Sequence, residues 1–166
     1  MSRLDLAVEQ IVFARKYTVR LLDRVEEKDW FRLPREGVTH VAWQVGHLAM
    51  AQYRLGLERT RGRRPEDEAL ISDHFLALFG RDSVPDADPG RYPPPAGIRA
   101  VFDGVHRRLL EEARGLSEED LDTPVLKPHA LIRTKLWSLL WCAQHEMVHA
   151  GQIGLLRRLL GYPPVW

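Results

Sequence analysis

Two of the seven histidines in the chain, His145 and His149, lie four residues apart in a segment with helical apolar spacing. Residues four apart on a helix share one face, so both imidazoles can reach a single first-row metal ion. The letters between them complete an H-E-x-x-H pattern, in which the glutamate of a zinc protease takes a proton from water. We therefore predict a metal site here, with Glu146 as candidate catalytic base. The alternative is two surface histidines flanking an exposed glutamate.

A third ligand separates a protease from other metal proteins. No acidic residue follows Glu146, so the downstream glutamate ligand of one protease type is missing. The other type requires glycine and histidine where this chain has Gln152 and Leu155. We therefore expect the third ligand upstream. The candidate is His47, which lies on an apolar helix face after Gly46, a small residue that lets a neighbouring helix approach closely.

Polar side chains in helical phase with these histidines can orient the imidazoles. This supporting role is predicted for Gln152, Gln44 and His40. Cys142, three residues before His145, fits either a small buried apolar residue or a fourth ligand. Histidines placed in or near loops and exposed stripes receive no role: His74, His106 and His129.

Composition points to a single domain spanning residues 1–166, long enough to bury a sizeable core. The net charge of +1, with acidic and basic residues interspersed, argues against a nucleic-acid or anionic-membrane partner. No apolar run approaches the roughly 18 residues of a membrane span. A single cysteine and a charged N-terminal segment predict a cytoplasmic protein. The basic cluster Arg61, Arg63 and Arg64 is interpreted as a solvated loop.

Apolar periodicity predicts an all-α protein. Ser2 and Asp5 form a potential capping box at the first helix, and Thr39 is the expected N-cap of the second. Prolines and glycines between residues 60 and 97 indicate a long crossover, with a short helix near 66–79. Gly161 is expected to end the last helix. The four long helices are predicted at 4–27, 39–59, 98–115 and 134–160, which together make a four-helix bundle.

Several of these segments resemble the DinB/YfiT-like superfamily of metal-binding helical bundles. The resemblance is carried by Trp43-Gln44-Val45-Gly46-His47-Leu48, by the stretch from His145 to Ile153 and by Leu155 to Gly161. It implies an up-down-down-up bundle whose long crossover joins helices two and three, and which often forms homodimers. It also implies a divalent ion, zinc or nickel, held by His47, His145 and His149.

Three functions are compatible with such a site. The first is a metal-dependent S-transferase, a kind of enzyme seen in this superfamily, that uses a low-molecular-weight thiol such as bacillithiol or mycothiol. The second is a metal-dependent hydrolase with Glu146 as general base. The third is a non-catalytic metal-binding protein of the stress response. Both enzymes would act on a small molecule, and the sequence leaves the choice among the three open.

Overall fold

The computed structural model describes residues 1–127 and 131–165. Its four long helices are α1 (Arg3–Leu22), α2 (Val41–Tyr53), α6 (Pro95–Ala113) and α8 (Lys135–Leu159). Within the described residues there is no strand, and β-type pairing is limited to an isolated bridge between Pro124 and Thr134. The predicted all-α bundle is confirmed.

The directions of the four long helices follow from side chains that touch across the bundle. Helices α1 and α8 run parallel, whereas α2 is antiparallel to α8 and α1 is antiparallel to α6. This is the up-down-down-up arrangement, with the long crossover between α2 and α6. The contacts that fix the directions are Arg15–Glu146 and Leu21–Arg157, Gln44–His149 and Leu55–Ser138, and Arg15–Phe102 and Asp23–Arg99.

Shorter helical elements connect the long ones. The helix predicted near 66–79 is two helices, because Ile71 is extended and Ser72 caps the second.

The core between the long helices includes Ile11, Val45 and Phe102. No helix in the described ranges is long and apolar enough to cross a membrane. The remaining elements are a π-helical turn Arg54–Glu58, α3 (Arg59–Arg61), α4 (Asp67–Leu70), α5 (Asp73–Leu78), α7 (Glu118–Asp122) and 3-10 turns Glu27–Asp29 and Pro89–Arg91.

Helix α1 is shorter than predicted because a buried arginine binds a backbone carbonyl in its last turn. Both bonds of the Ser2–Asp5 capping box form as predicted. At the other end the buried Arg157 guanidinium donates to the Leu21 carbonyl at 2.8 Å. The Val25 N–H then bonds the Leu22 carbonyl, three residues back, and the α-helix ends. The predicted boundary at residue 27 was therefore wrong by five residues.

The ends of the other long helices depend on their caps. Helix α8 begins after its N-cap Thr134, and Gly161 follows its last turn at φ +91°, both as predicted. The N-cap of α2 is His40, not the predicted Thr39: the His40 Nδ1 accepts the Trp43 N–H at 3.1 Å. Helix α6 begins at Pro95, three residues earlier than predicted, because a proline fits the first helical turn.

The basic cluster after α2 joins secondary elements and is not a solvated loop. The Arg61 guanidinium donates to Asp67 at 2.8 Å and to Glu112 of α6 at 2.6 Å. Arg63 donates to Glu68 at 2.6 Å. The interpretation from sequence was wrong because the carboxylates lie outside the cluster itself, one of them about 50 residues away.

Candidate metal centre

Three predicted ligand histidines meet where α2 and α8 pack antiparallel. His145 and His149 occupy successive turns of α8, and His47 faces them from α2, with ring centroids 4.5–5.4 Å apart. One ring nitrogen from each histidine lies within 4.8 Å of the other two. Zn–N distances of about 2.0–2.1 Å put the ligands of a tetrahedral ion about 3.4 Å apart, so small ring movements suffice to hold one.

Hydrogen bonds to neighbouring groups determine which ring nitrogen carries the proton in two of these histidines. The His47 Nδ1–H donates to the Phe79 carbonyl at 2.9 Å, and the His149 Nδ1–H donates to the Gln44 Oε1 at 2.6 Å. Because both acceptors are carbonyl oxygens, the proton must sit on Nδ1, and Nε2 keeps its lone pair. Such bonds orient metal-binding imidazoles in proteins. The residues therefore fit a metal ion.

A glycine explains how a backbone carbonyl reaches His47. A Cβ on Gly46 would lie 2.3 Å from the Phe79 ring, so only glycine lets the end of α5 approach α2 so closely. The Trp43 indole stacks on the His47 ring at 4.7 Å, and its Nε1–H donates to the Ser83 hydroxyl at 2.9 Å. The crossover is thus hydrogen-bonded to α2 at both Trp43 and His47.

Burial keeps the three imidazoles neutral. Burial, together with the smaller effect of the neighbouring histidines, lowers the pKa of His145 to about 4 and that of His149 to about 3. The pKa of His47 is lowered by burial as well. Near pH 7 all three rings are therefore unprotonated, the state in which imidazole binds a metal.

Glu146 lies beside the histidines in sequence, but its carboxylate is bonded to α1. It is 2 % exposed, and its Oε1 accepts from the Arg15 Nε at 2.8 Å. The same guanidinium donates to the Gln52 Oε1 and the Phe102 carbonyl and lies 3.3 Å from the Phe102 ring centroid. The alternative of an exposed glutamate is therefore wrong. The structure adds Arg15, a buried residue to which the sequence analysis assigned no role.

The other predicted supporting residues occupy different places. Gln44 accepts a hydrogen bond from His149, a predicted ligand. Gln152 is exposed one turn after His149. His40 caps α2 between the rings of Phe31 and Tyr92, and burial lowers its pKa to about 4. Through these contacts His40 stabilises the start of α2 and its packing against the crossover, rather than orienting the three histidines.

Cys142 and the unassigned histidines stand apart from the cluster. Cys142 is a buried free thiol whose pKa is raised by burial, and it is not among the clustered ligand groups of the described residues. His74 is exposed. His106 is half-buried, contrary to the exposed position expected, and burial lowers its pKa to about 3. His129 lies outside the described residues.

A three-histidine cluster within an up-down-down-up bundle defines a candidate mononuclear metal centre of a helical-bundle protein. The sequence profile of the DinB superfamily matches residues 10–153. The chain belongs to this superfamily, whose members generally bind metal. No curated protein matches the chain.

Two features of the centre, the Phe79 carbonyl and Arg15, could not be found by searching the sequence for metal ligands. The Phe79 carbonyl belongs to the crossover and is reached only through tertiary packing, although Gly46 marked the close approach. Arg15 is 131 residues from Glu146. The sequence offers no local signal for this pair, because Arg15 is followed directly by another basic residue, Lys16.

Proposed function

We propose that this protein binds one divalent ion, zinc or nickel, through the Nε2 atoms of His47, His145 and His149, and uses it for thiol transfer. The observation that carries the proposal is the pair of bonds from Nδ1 to the Phe79 carbonyl and to Gln44, which leaves two Nε2 lone pairs available. A bound ion with an open position lowers the pKa of a thiol that shares it.

The surroundings of Glu146 favour thiol transfer over hydrolysis. A general base must be free to accept a proton, whereas both Glu146 oxygens lie within hydrogen-bond distance of Arg15, at 2.8 and 3.4 Å. Thiol transfer needs no such base from the protein, because the ion itself favours the thiolate at neutral pH. The hydrolase and the non-catalytic metal protein are the competing outcomes of the experiments below.

The metal proposal is tested by elemental analysis of purified variants. Wild-type protein should hold about one ion per chain, and alanine at His47, His145 or His149 should each weaken binding severely. The matched control is His74→Ala, since His74 is exposed on α5. If His47→Ala binds the metal as tightly as the wild type does, His47 is not the third ligand.

The reaction is tested on cobalt- or nickel-substituted protein. Bacillithiol, mycothiol, glutathione or cysteine should perturb its absorption spectrum if a thiol binds the ion, and Glu146→Gln should cost little transfer activity per folded molecule. A hydrolase would instead lose roughly 10²–10⁴ in rate in Glu146→Gln while keeping its metal. No spectral change and no transfer with any of the four thiols would reject thiol transfer.

We also propose that the protein is a homodimer that uses the apolar face between α1 and α8. Phe13 is 63 % exposed, Val148 is 59 % exposed, and with Leu6 they line a groove of about 720 Å³. Large exposed apolar patches are typical of protein interfaces. Phe13→Lys should shift the mass measured by light scattering to that of a monomer, whereas Val84→Lys, at an exposed valine of the crossover that does not line this groove, should not. A monomeric wild type would reject the dimer.

A further inference from the structure

A second groove, here called the crossover groove, lies next to the histidines. It has a volume of about 660 Å³, within the range typical of small-molecule sites. Trp43 and Gln44 line it, and these are the residues that stack on His47 and accept from His149. Gln152, one turn after His149, lines it too. The groove and the candidate metal centre therefore share a wall.

The lining of the crossover groove is mostly apolar and nearly free of charge. Its single charged lining residue among those described is Glu36, and no lysine or arginine contributes. An anion placed there would meet a carboxylate with no compensating cation. The apolar side chains come from both walls: Leu33, Val38, Val84 and Pro85 from the loops, and Leu155, Leu156 and Leu159 from α8.

The crossover groove is elongated along α8, and hydrogen bonds hold its opposite wall in place. From Gln152 to Leu159 the α8 wall spans seven residues, or about 10 Å at 1.5 Å per residue. The opposite wall is held by the Trp43 Nε1–H bond to Ser83, whose hydroxyl donates to the Gly80 carbonyl at 2.8 Å. A ligand with its polar end at Gln44 and Gln152 would thus lie lengthwise against apolar side chains, away from the histidines.

We propose that the crossover groove binds a neutral, largely apolar organic molecule, the electrophile that receives the thiol. This assignment rests on the proposed thiol transfer. In the reaction the thiol gives its proton to solvent, and its sulfur forms a bond to the electrophilic carbon. The leaving group departs with the electron pair of the broken bond. The polar, charged thiol itself does not suit a groove that lacks a cation.

The test uses the neutral fluorophore N-phenyl-1-naphthylamine, whose emission rises in apolar surroundings, with zinc-loaded protein. Leu155→Glu should weaken binding of the fluorophore at least about 10-fold, since the ligand would then bury an unpaired carboxylate. Leu155 is 50 % exposed, so the fold should tolerate the change. Leu159→Glu, at 46 % exposure, is a second variant should the first fail to fold.

The control is Val148→Glu, which places the same charge on α8 in the groove between α1 and α8, here called the α1–α8 groove. Because one chain supplies every lining residue of the crossover groove, the change should alter the affinity less than about 2-fold even if it separates the proposed dimer. Loss of binding in Val148→Glu but not in Leu155→Glu would put the fluorophore in the α1–α8 groove and overturn the assignment. The sulfonated analogue 8-anilinonaphthalene-1-sulfonate should bind at least about 10-fold more weakly. Equal binding would overturn the preference for a neutral ligand.

Metal-free His47→Ala separates this inference from the proposed function. Because the fluorophore occupies the groove and not the metal centre, His47→Ala should still bind it. Binding without any thiol transfer by the wild type would reject the proposed function and keep the groove as a ligand site. No binding to the folded wild type would reject the groove.

Discussion

Replacing Glu146 with glutamine tests what this glutamate does for the fold. The change removes the charge that faces the Arg15 guanidinium, which is 5 % exposed. Breaking one partner of a buried ion pair costs about 3–5 kcal/mol. Arg15 keeps its bonds to Gln52 and to the Phe102 carbonyl, so we expect the lower end, about 3 kcal/mol. The ligand histidines make no described hydrogen bond to this carboxylate, and the zinc affinity of the folded variant should stay within about 2-fold of the wild type.

The assay is urea unfolding in the presence of a chelator, because metal binding would otherwise add to the stability. Glu111→Gln is the control: its side chain is 57 % exposed, 3.8 Å from Arg108, and should cost less than about 0.5 kcal/mol. The double variant Arg15→Met with Glu146→Leu should recover much of the loss, since apolar residues can replace a buried pair. A Glu146→Gln protein as stable as the wild type would refute this reasoning.

Gly46→Ala should cost about 1–3 kcal/mol and weaken zinc binding, because the new Cβ would lie 2.3 Å from the Phe79 ring and displace the carbonyl that holds His47. Gly151→Ala is its control: a Cβ added at this position would meet no atom within 4 Å, and urea unfolding should show a gain of about 0.5–1 kcal/mol. Burial lowers the pKa of His40 to about 4 in the folded protein, whereas the ordinary value is about 6.5. As pH falls from about 6.5 towards 4, the unfolded chain therefore binds a proton that the folded protein does not, and the metal-free protein loses stability. His40→Asn keeps a capping side chain and should reduce that slope by about 1.4 kcal/mol per pH unit; an unchanged slope would contradict the assignment.

Local chemistry explains what could be predicted from the sequence. Thr134 and Gly161 determine the ends of α8 by capping, and the four-residue spacing of His145 and His149 places both rings on one face. His47 required more than local pattern, because an isolated histidine on an apolar face is equally consistent with a core residue.

Long-range packing explains what was missed. The end of α1 depends on Arg157, 136 residues from the carbonyl it binds. Pattern within one helix cannot reveal a partner on another. His40 was missed for a local reason: it was expected near the ligands because it lies two turns from His47, but its Nδ1 accepts the Trp43 N–H and caps α2.

The parallel pairing of the first and last long helices has a consequence for folding. Helix α1 contacts α8 through residues 131 positions apart, and the two faces of the histidine cluster come from residues about 100 positions apart. Closing such long loops costs chain entropy before any contact offsets it, which slows folding. During synthesis the carboxylate that pairs with Arg15, and the two histidines that cluster with His47, arrive only with α8, the last long helix. Metal uptake would then report that the last helix has docked.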